Sequence, residues 1–166
     1  NIWYTIAERQ IYEEFDLLNM INFTNKTILL VEDEAVIALA ESVALQKHGF
    51  SVVMEHSGEH AVERALTDDS IDLILMDMDL GPGLDGTGAA RAILEKRDLP
   101  VLFLSNHTGS EVVEKAEKIT SYGYVVKNTG EIVLLASIKM AFRLHEAHRR
   151  EKEKERALLP ERGNLR

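Results

Sequence analysis

No cysteine occurs among the 166 residues, which excludes disulfides, thiol nucleophiles and cysteine-ligated zinc. Long apolar runs are also missing, and nothing approaches the roughly 18 uncharged residues needed to cross a bilayer. Excess positive charge is absent: 19 Lys+Arg stand against 28 Asp+Glu, a formal net charge of −9. That is the wrong sign for a domain whose whole surface grips nucleic acid or an anionic membrane, so neither is expected as a direct partner. The first residues, Asn1-Ile2-Trp3-Tyr4, lack the basic start and apolar stretch of a signal peptide, so a cytoplasmic location is expected. What is present suits one domain with short appendages: 45% hydrophobic and 28% charged residues, enough to bury a core. The acidity is local. Residues 1–26 carry a net −2, residues 27–144 a net −9, and residues 145–166 a net +2.

The acidic middle alternates regularly. Apolar runs occur at Thr27 to Val31, Ser51 to Met54, Ile71 to Met76, Pro100 to Leu104 and Gly123 to Val126. They are mostly continuous, the pattern of parallel strands covered on both faces. Between them lie helical spacings. From Glu34 to His48, Val36, Leu39, Ala40 and Val43 recur three or four apart, and Gly49 is the expected stop. Thr108 to Glu111 and Asn128 to Glu131 each read as a capping box, while Gly58 and Gly86 sit near two further helix starts. Five strand–helix units in about 120 residues imply an open, doubly wound α/β sheet, because parallel neighbours need crossover helices.

In such sheets ligands collect beyond the carboxyl ends of the strands. The first strand ends in Glu32-Asp33, the third in Asp77 followed by Asp79, the fourth in Ser105 and the fifth in Lys127; the second ends in Glu55-His56, with no obvious chemistry. Each group alone reads as a cap, a turn former or a solvated side chain. Together they resist that reading, because gathered carboxylates repel by roughly 4 kcal/mol per close pair at an effective dielectric near 20. A cation is the natural remedy, and hard oxygen ligands with room for water suit Mg²⁺. Asp77 could then face an electrophilic phosphorus, with the metal and the Lys127 ammonium neutralising the transferring oxygens and Ser105 donating a hydrogen bond to one of them.

Leu29 to Glu34, Asp72 to Leu80, Val101 to Ser105 and Gly123 to Lys127 together resemble the ordered motifs of response-regulator receiver domains of two-component signalling. The similarity covers about residues 26–144. It implies a flavodoxin-like (βα)5 open parallel sheet of strand order 2-1-3-4-5. It also implies that Asp77 accepts a phosphoryl group from a sensor histidine kinase and that the chain is not a turnover enzyme. By the same resemblance Glu32, Asp33, Asp77 and the backbone carbonyl of Asp79 hold Mg²⁺ or Mn²⁺, Lys127 pairs with the phosphoryl group, and Ser105 and Tyr124 form a switch pair. The output face would be the fourth helix, fifth strand and fifth helix, meeting a second copy or an adjacent sensor or kinase module. Three positions depart from the family pattern: Asn128 stands where proline is usual, Asn106 where a very small residue is usual, and the loop after Asp77 is one residue longer.

Other readings compete for the same residues. Gly81, Gly83 and Gly86 satisfy G-x-G-x-x-G, but Pro82 has no N–H to offer a phosphate, and Asp77 and Asp79 would repel a pyrophosphate. Asp77-Met78-Asp79 with Ser105 and Lys127 resembles haloacid-dehalogenase-type phosphohydrolases, whose metal-binding acids would follow the lysine; here Glu32-Asp33 precede it. A binding module that is never phosphorylated is the third reading, disfavoured by the intact acidic set. At the ends, Ile11, Phe15 and Leu18 give residues 1–25 an amphipathic helical spacing. Beyond Leu144, the helix beginning near Glu131 is expected to continue through Arg156 as a solvated, charge-laced extension over 145–166, ended by Pro160. His145 and His148 there read as surface histidines rather than a metal pair.

Overall fold

A computed structural model describes Phe23 and residues 25–107, 109–119 and 122–158 of the chain. Its elements alternate throughout: β1 (Thr27–Val31), α1 (Ala35–Lys47), β2 (Ser51–Glu55), α2 (Gly58–Thr67), β3 (Ile71–Asp77), α3 (Gly86–Leu94), β4 (Val101–Ser105), α4 (Ser110–Glu117), β5 (Tyr124–Val126) and α5 (Glu131–Leu158). The strands form one five-stranded sheet in the order β2-β1-β3-β4-β5, every pairing parallel. This is the flavodoxin-like arrangement, in which β1 and β3 lie side by side where the strand order reverses.

Continuous apolar strands require cover on both sides, and alternate residues divide between two cores. Leu29, Val31, Ile74, Met76, Val101 and Phe103 face one core with Ala61, Ala65, Ala89, Ala90 and Ile93 of α2 and α3. Ile28, Leu30, Leu73, Leu75, Leu102 and Leu104 face the other with Leu45 of α1 and Ile138, Ala141 and Phe142 of α5. The alanines let α2 and α3 approach the sheet closely. On the opposite side Phe142 stacks on Phe23 at 5.1 Å between ring centroids and on Phe50 at 6.4 Å, fixing α5 against the sheet.

Two local expectations need correction. The helix over Glu34 to His48 forms, with Glu34 and His48 as its caps and Gly49 at φ 90 just beyond. Its apolar spacing does not mark the core face, however. Ala38, Ser42 and Leu45 are buried, whereas Val36, Leu39 and Val43 are 83%, 58% and 55% exposed. Small residues allow the helix to lie close to β1, and that phase turns the larger branched side chains outward. Of the two capping boxes, the one at Thr108 rests on a residue outside those described; the cap position of α4 is Gly109, with no side-chain hydrogen bond of its own. The other does not form. Asn128 does not cap α5; it sits three residues before Glu131 at φ 66, in the left-handed region that asparagine tolerates.

α5 runs on to Leu158, well past the last buried residue, Phe142. Arg150 pairs with Glu146, and Arg149 with Glu153 at 3.6 Å, the i, i+4 lacing expected of a solvated helix. The Nδ1 atoms of His145 and His148 lie 2.9 and 3.5 Å from the Tyr122 hydroxyl. Lys152 reaches Asp98 at 3.1 Å, so the start of the extension leans on the α3–β4 loop. The spacing read over residues 1–25 falls almost wholly outside the described residues, as does Pro160. No described helix is long and apolar enough to cross a membrane.

Candidate functional site

Parallel strands end together, so their last residues share one rim. β1 delivers Glu32 and Asp33, β3 delivers Asp77, β4 delivers Ser105 and β5 delivers Lys127. Carboxylate oxygens of Glu32, Asp33 and Asp77 all lie within 4.8 Å of one another, the set expected to hold a metal ion. Glu32 and Asp77 are 0% and 2% exposed, while Asp33 is open to solvent. The Lys127 ammonium is buried between the first two, donating to Asp77 Oδ2 at 2.6 Å and to Glu32 Oε2. A backbone bond from the Lys127 N–H to the Ser105 carbonyl (2.8 Å) extends the strand pairing and fixes where that side chain starts.

Electrostatics bind these groups into one unit. Burial raises the pKa of Glu32, and Asp77 adds to this, while hydrogen bonds from Lys127 and the Glu34 N–H work against it. Burial opposes the charge on Lys127, but its bonds to Asp77 and Glu32 outweigh that and hold its pKa above the ordinary lysine value. Three carboxylates and one ammonium leave two formal negative charges, which one divalent cation would neutralise. The donor set therefore fits a hard divalent ion on its own chemistry.

The loop from Met78 to Asp85 forms the outer wall, and carboxylates pin it at three points. Asp33 Oδ2 accepts from the Gly81 N–H at 3.1 Å, Glu59 Oε1 from the Leu84 N–H at 2.8 Å, and Asp85 caps α3 by accepting from the Gly88 N–H at 2.7 Å. Gly86 is required at the base: a Cβ there would lie 1.9 Å from the Asp77 carbonyl oxygen. These bonds also dispose of the dinucleotide reading. The N–H groups of Gly81, Leu84 and Gly86 are taken by Asp33, Glu59 and the Met78 carbonyl, so these three donors are not free to cradle a phosphate. Asp79 reaches inward through its N–H, which donates to Asp77 Oδ1 at 3.0 Å, while its exposed carboxylate lies 3.7 Å from His107 Nε2.

Ser105 is 1% exposed and its hydroxyl accepts from the His107 N–H at 3.0 Å. Tyr124 pairs in register with Phe103 and packs half-buried against the α2–α3 core, two strand positions below the Ser105 pairing with Val126. Asn128 is exposed and trans-linked to Lys127, and the departure from proline leaves the lysine in the pocket.

Two supporting residues carried no functional reading from the sequence. His56 Nδ1 bonds to the Glu32 carbonyl at 2.8 Å, so the end of β2 has chemistry after all: it steadies the backbone of an acid in the pocket. Glu59 is the second, and neither could be found from spacing alone, since both act across strand or helix boundaries. After Lys127, Glu131 lies away from the pocket, with its carboxylate 2.5 Å from His48 Nε2, so the acids of the site precede Asp77 in the chain, contrary to the hydrolase order.

Residues 28–139 match the family model described as response regulator receiver domain. The protein-glutamate methylesterase/protein-glutamine glutaminase of Archaeoglobus fulgidus is 36% identical over 67% of this chain and 32% of its own. The transcriptional regulatory protein PdtaR of Mycobacterium tuberculosis is 32% identical over 70% of this chain and 56% of its own. The chain thus spans between about a third and just over half of these curated relatives. Among solved structures, the N-terminal domain of a response regulator/sensory box/GGDEF three-domain protein from Carboxydothermus hydrogenoformans is 46% identical, with a TM-score of 0.69, over 74% of this chain and 98% of that one. The signal receiver domain of a modulated diguanylate cyclase from Desulfovibrio desulfuricans is 28% identical, with a TM-score of 0.66, over 74% and 97%. With the sheet order, the acidic rim and these likenesses in agreement, the chain belongs to the response regulator receiver domain family of two-component signalling.

Proposed function

We propose that this chain is a cytoplasmic phosphoacceptor: Asp77 takes a phosphoryl group from a phosphohistidine of a sensor histidine kinase in a step that needs Mg²⁺ or Mn²⁺. The observation that supports this most is the convergence of Glu32, Asp33, Asp77 and buried Lys127 on one rim. Glu32, Asp33, Asp77 and the carbonyl of Asp79 are the groups that would hold the ion. When bound, the ion would supply positive charge to oxygens that become more negative as the phosphoryl group transfers.

The chain's own residues account for the rest. An Asp77 oxygen attacks phosphorus, the P–N bond to the donor imidazole breaks, and its electron pair returns to the ring nitrogen. Asp77 has lone pairs to spare, because the Asp79 N–H and Lys127 occupy only two of its roughly four acceptor positions. Lys127 keeps its charge throughout and pairs with the new phosphoryl oxygens. Ser105 turns its hydroxyl from the His107 N–H toward one of them, and the half-buried Tyr124 ring follows into the space behind. The α4–β5–α5 face thereby changes shape, and α5 carries that change into the charged segment 145–166, toward a second copy or an adjacent sensor or kinase module. In this reading residues 26–144 are the signalling unit and the chain undergoes modification rather than turning over substrate.

Incubation with Mg²⁺ and acetyl phosphate, followed by intact mass measurement, tests the proposal. One added phosphoryl group, lost in Asp77→Asn, is the expected result. Sustained release of p-nitrophenol from p-nitrophenyl phosphate would favour the phosphohydrolase reading, and an unchanged mass with every small donor would favour the silent binding module.

A further inference from the structure

The extra length of the loop after Asp77, and the glycines within it, have no part in the scheme above. The N-terminus of α2 presses against this loop. At Gly58 a Cβ would lie 2.2 Å from the Leu84 carbonyl oxygen, so the two backbones touch. Glu59 follows, and its Oε1 accepts from the Leu84 N–H at 2.8 Å. Gly83, at φ 116, leaves room for that carboxylate: a Cβ there would lie 2.7 Å from Glu59 Oε1. Leu84 itself packs partly buried against the α2–α3 core. The Leu84 N–H, together with the N–H of Glu59 itself, holds the Glu59 carboxyl below its ordinary range, so the acceptor is charged near neutral pH.

Three residues before Leu84 the same loop meets the acidic rim, where the Gly81 N–H donates to Asp33 Oδ2 at 3.1 Å. Glu32 and Asp77 are fixed there by burial and by Lys127, whereas Asp33 is exposed. An exposed carboxylate samples several rotamers unless a partner orients it, and the Gly81 N–H is such a partner. The carbonyl of Asp79, the fourth group expected to meet the ion, belongs to the same loop. A short lever therefore runs from Glu59 to Leu84, along the chain to Gly81, and from Gly81 to Asp33. Pro82 stiffens its middle, because the ring fixes φ.

We propose that Glu59 is a positioning residue for the cation site: it holds the loop so that Gly81 keeps the Asp33 carboxylate placed for Mg²⁺. The Glu59 carboxylate lies outside the set of acids that gather at the rim, so it acts through the loop. This rests on Glu32, Asp33 and Asp77 being a cation site, and not on phosphoryl transfer to Asp77.

Mg²⁺ titration of the whole chain followed by amide NMR reads the affinity, and amide hydrogen exchange in EDTA reads the lever without the ion. Removing a group that orients a metal ligand weakens binding by about ten- to a hundredfold, and the lower end suits a contact this indirect. Glu59→Ala should therefore raise the Mg²⁺ dissociation constant about tenfold, and should speed exchange of the Gly81 N–H by a similar factor. In Glu59→Gln the amide oxygen still accepts from Leu84, so both quantities should stay within about twofold of wild type. Gly83→Ala should reproduce Glu59→Ala, and adding Glu59→Ala to it should weaken binding no further, because both break the same contact. Equal weakening by Glu59→Ala and Glu59→Gln would reduce the effect to lost charge and overturn the positioning role. So would an unchanged dissociation constant in Glu59→Ala, or Gly81 exchange that ignores the substitution. A wild-type chain with no saturable Mg²⁺ shift would refute the cation site itself, and the lever with it.

Discussion

Lys127→Met isolates the electrostatic core of the site. Methionine keeps most of the stem and removes the ammonium, leaving Glu32 and Asp77 facing one another with side chains 0% and 3% exposed. Two carboxylates about 4 Å apart at an effective dielectric near 20 repel by roughly 4 kcal/mol. Removing one partner of a buried pair costs about 3–5 kcal/mol by the same physics, so the two figures describe one loss and do not add. Protonation of Glu32, already favoured by burial, relieves part of it. Without the lysine, which opposes the effect of burial, the Glu32 carboxyl titrates still further above its unfolded value. The native state then binds more protons, and the variant gains stability as pH falls. Urea unfolding followed by circular dichroism in EDTA should show a deficit of about 3 kcal/mol near pH 8, shrinking to about 1 kcal/mol near pH 5. Mg²⁺ should restore part of the deficit at the higher pH. Equal urea midpoints for the variant and the wild type near pH 8 in EDTA would refute the argument that these three charges form one unit.

Further perturbations probe other parts. Glu41 has a raised folded pKa, so its contribution is favourable at low pH and is lost as pH rises from its ordinary value of 4.5 through about 7. Allowing for its partial exposure, Glu41→Gln should be more stable than wild type by about 1–2 kcal/mol above that window, with a flatter stability profile across it in a pH series of urea melts. Gly86→Ala would drive a methyl group into the Asp77 carbonyl, so the N-terminus of α3 must move away; a loss of about 1–3 kcal/mol in urea unfolding and slower labelling by acetyl phosphate are expected. Mg²⁺ at about a hundredfold over its dissociation constant should stabilise the wild type by about 2.7 kcal/mol in thermal unfolding, and Asp33→Asn should remove most of that gain.

The strand ends were legible because a parallel sheet gathers them whatever the details of the loops. Glu32, Asp33, Asp77, Ser105 and Lys127 could be placed on one rim from apolar runs and spacing, and the sheet order followed from the family likeness. Helix phase was less legible. α1 buries Ala38 and Ser42 and exposes Val36 and Leu39, since close approach to the sheet outweighs side-chain size, and no spacing rule reveals which stripe will face inward. The loop after Asp77 was opaque for a related reason. Its shape depends on Glu59 and Asp33, which lie 25 and 48 residues from their N–H partners, Leu84 and Gly81.

The central claim concerns one carboxyl group, and trapping its acyl phosphate tests it most directly. After incubation with Mg²⁺ and acetyl phosphate, borohydride reduces an aspartyl phosphate to homoserine, and peptide mass mapping locates the change. The account predicts homoserine at position 77 alone, absent when EDTA is included. Modification at Asp33 or Asp79 with Asp77 intact, or no homoserine anywhere in a chain that has gained the mass of a phosphoryl group, would contradict it.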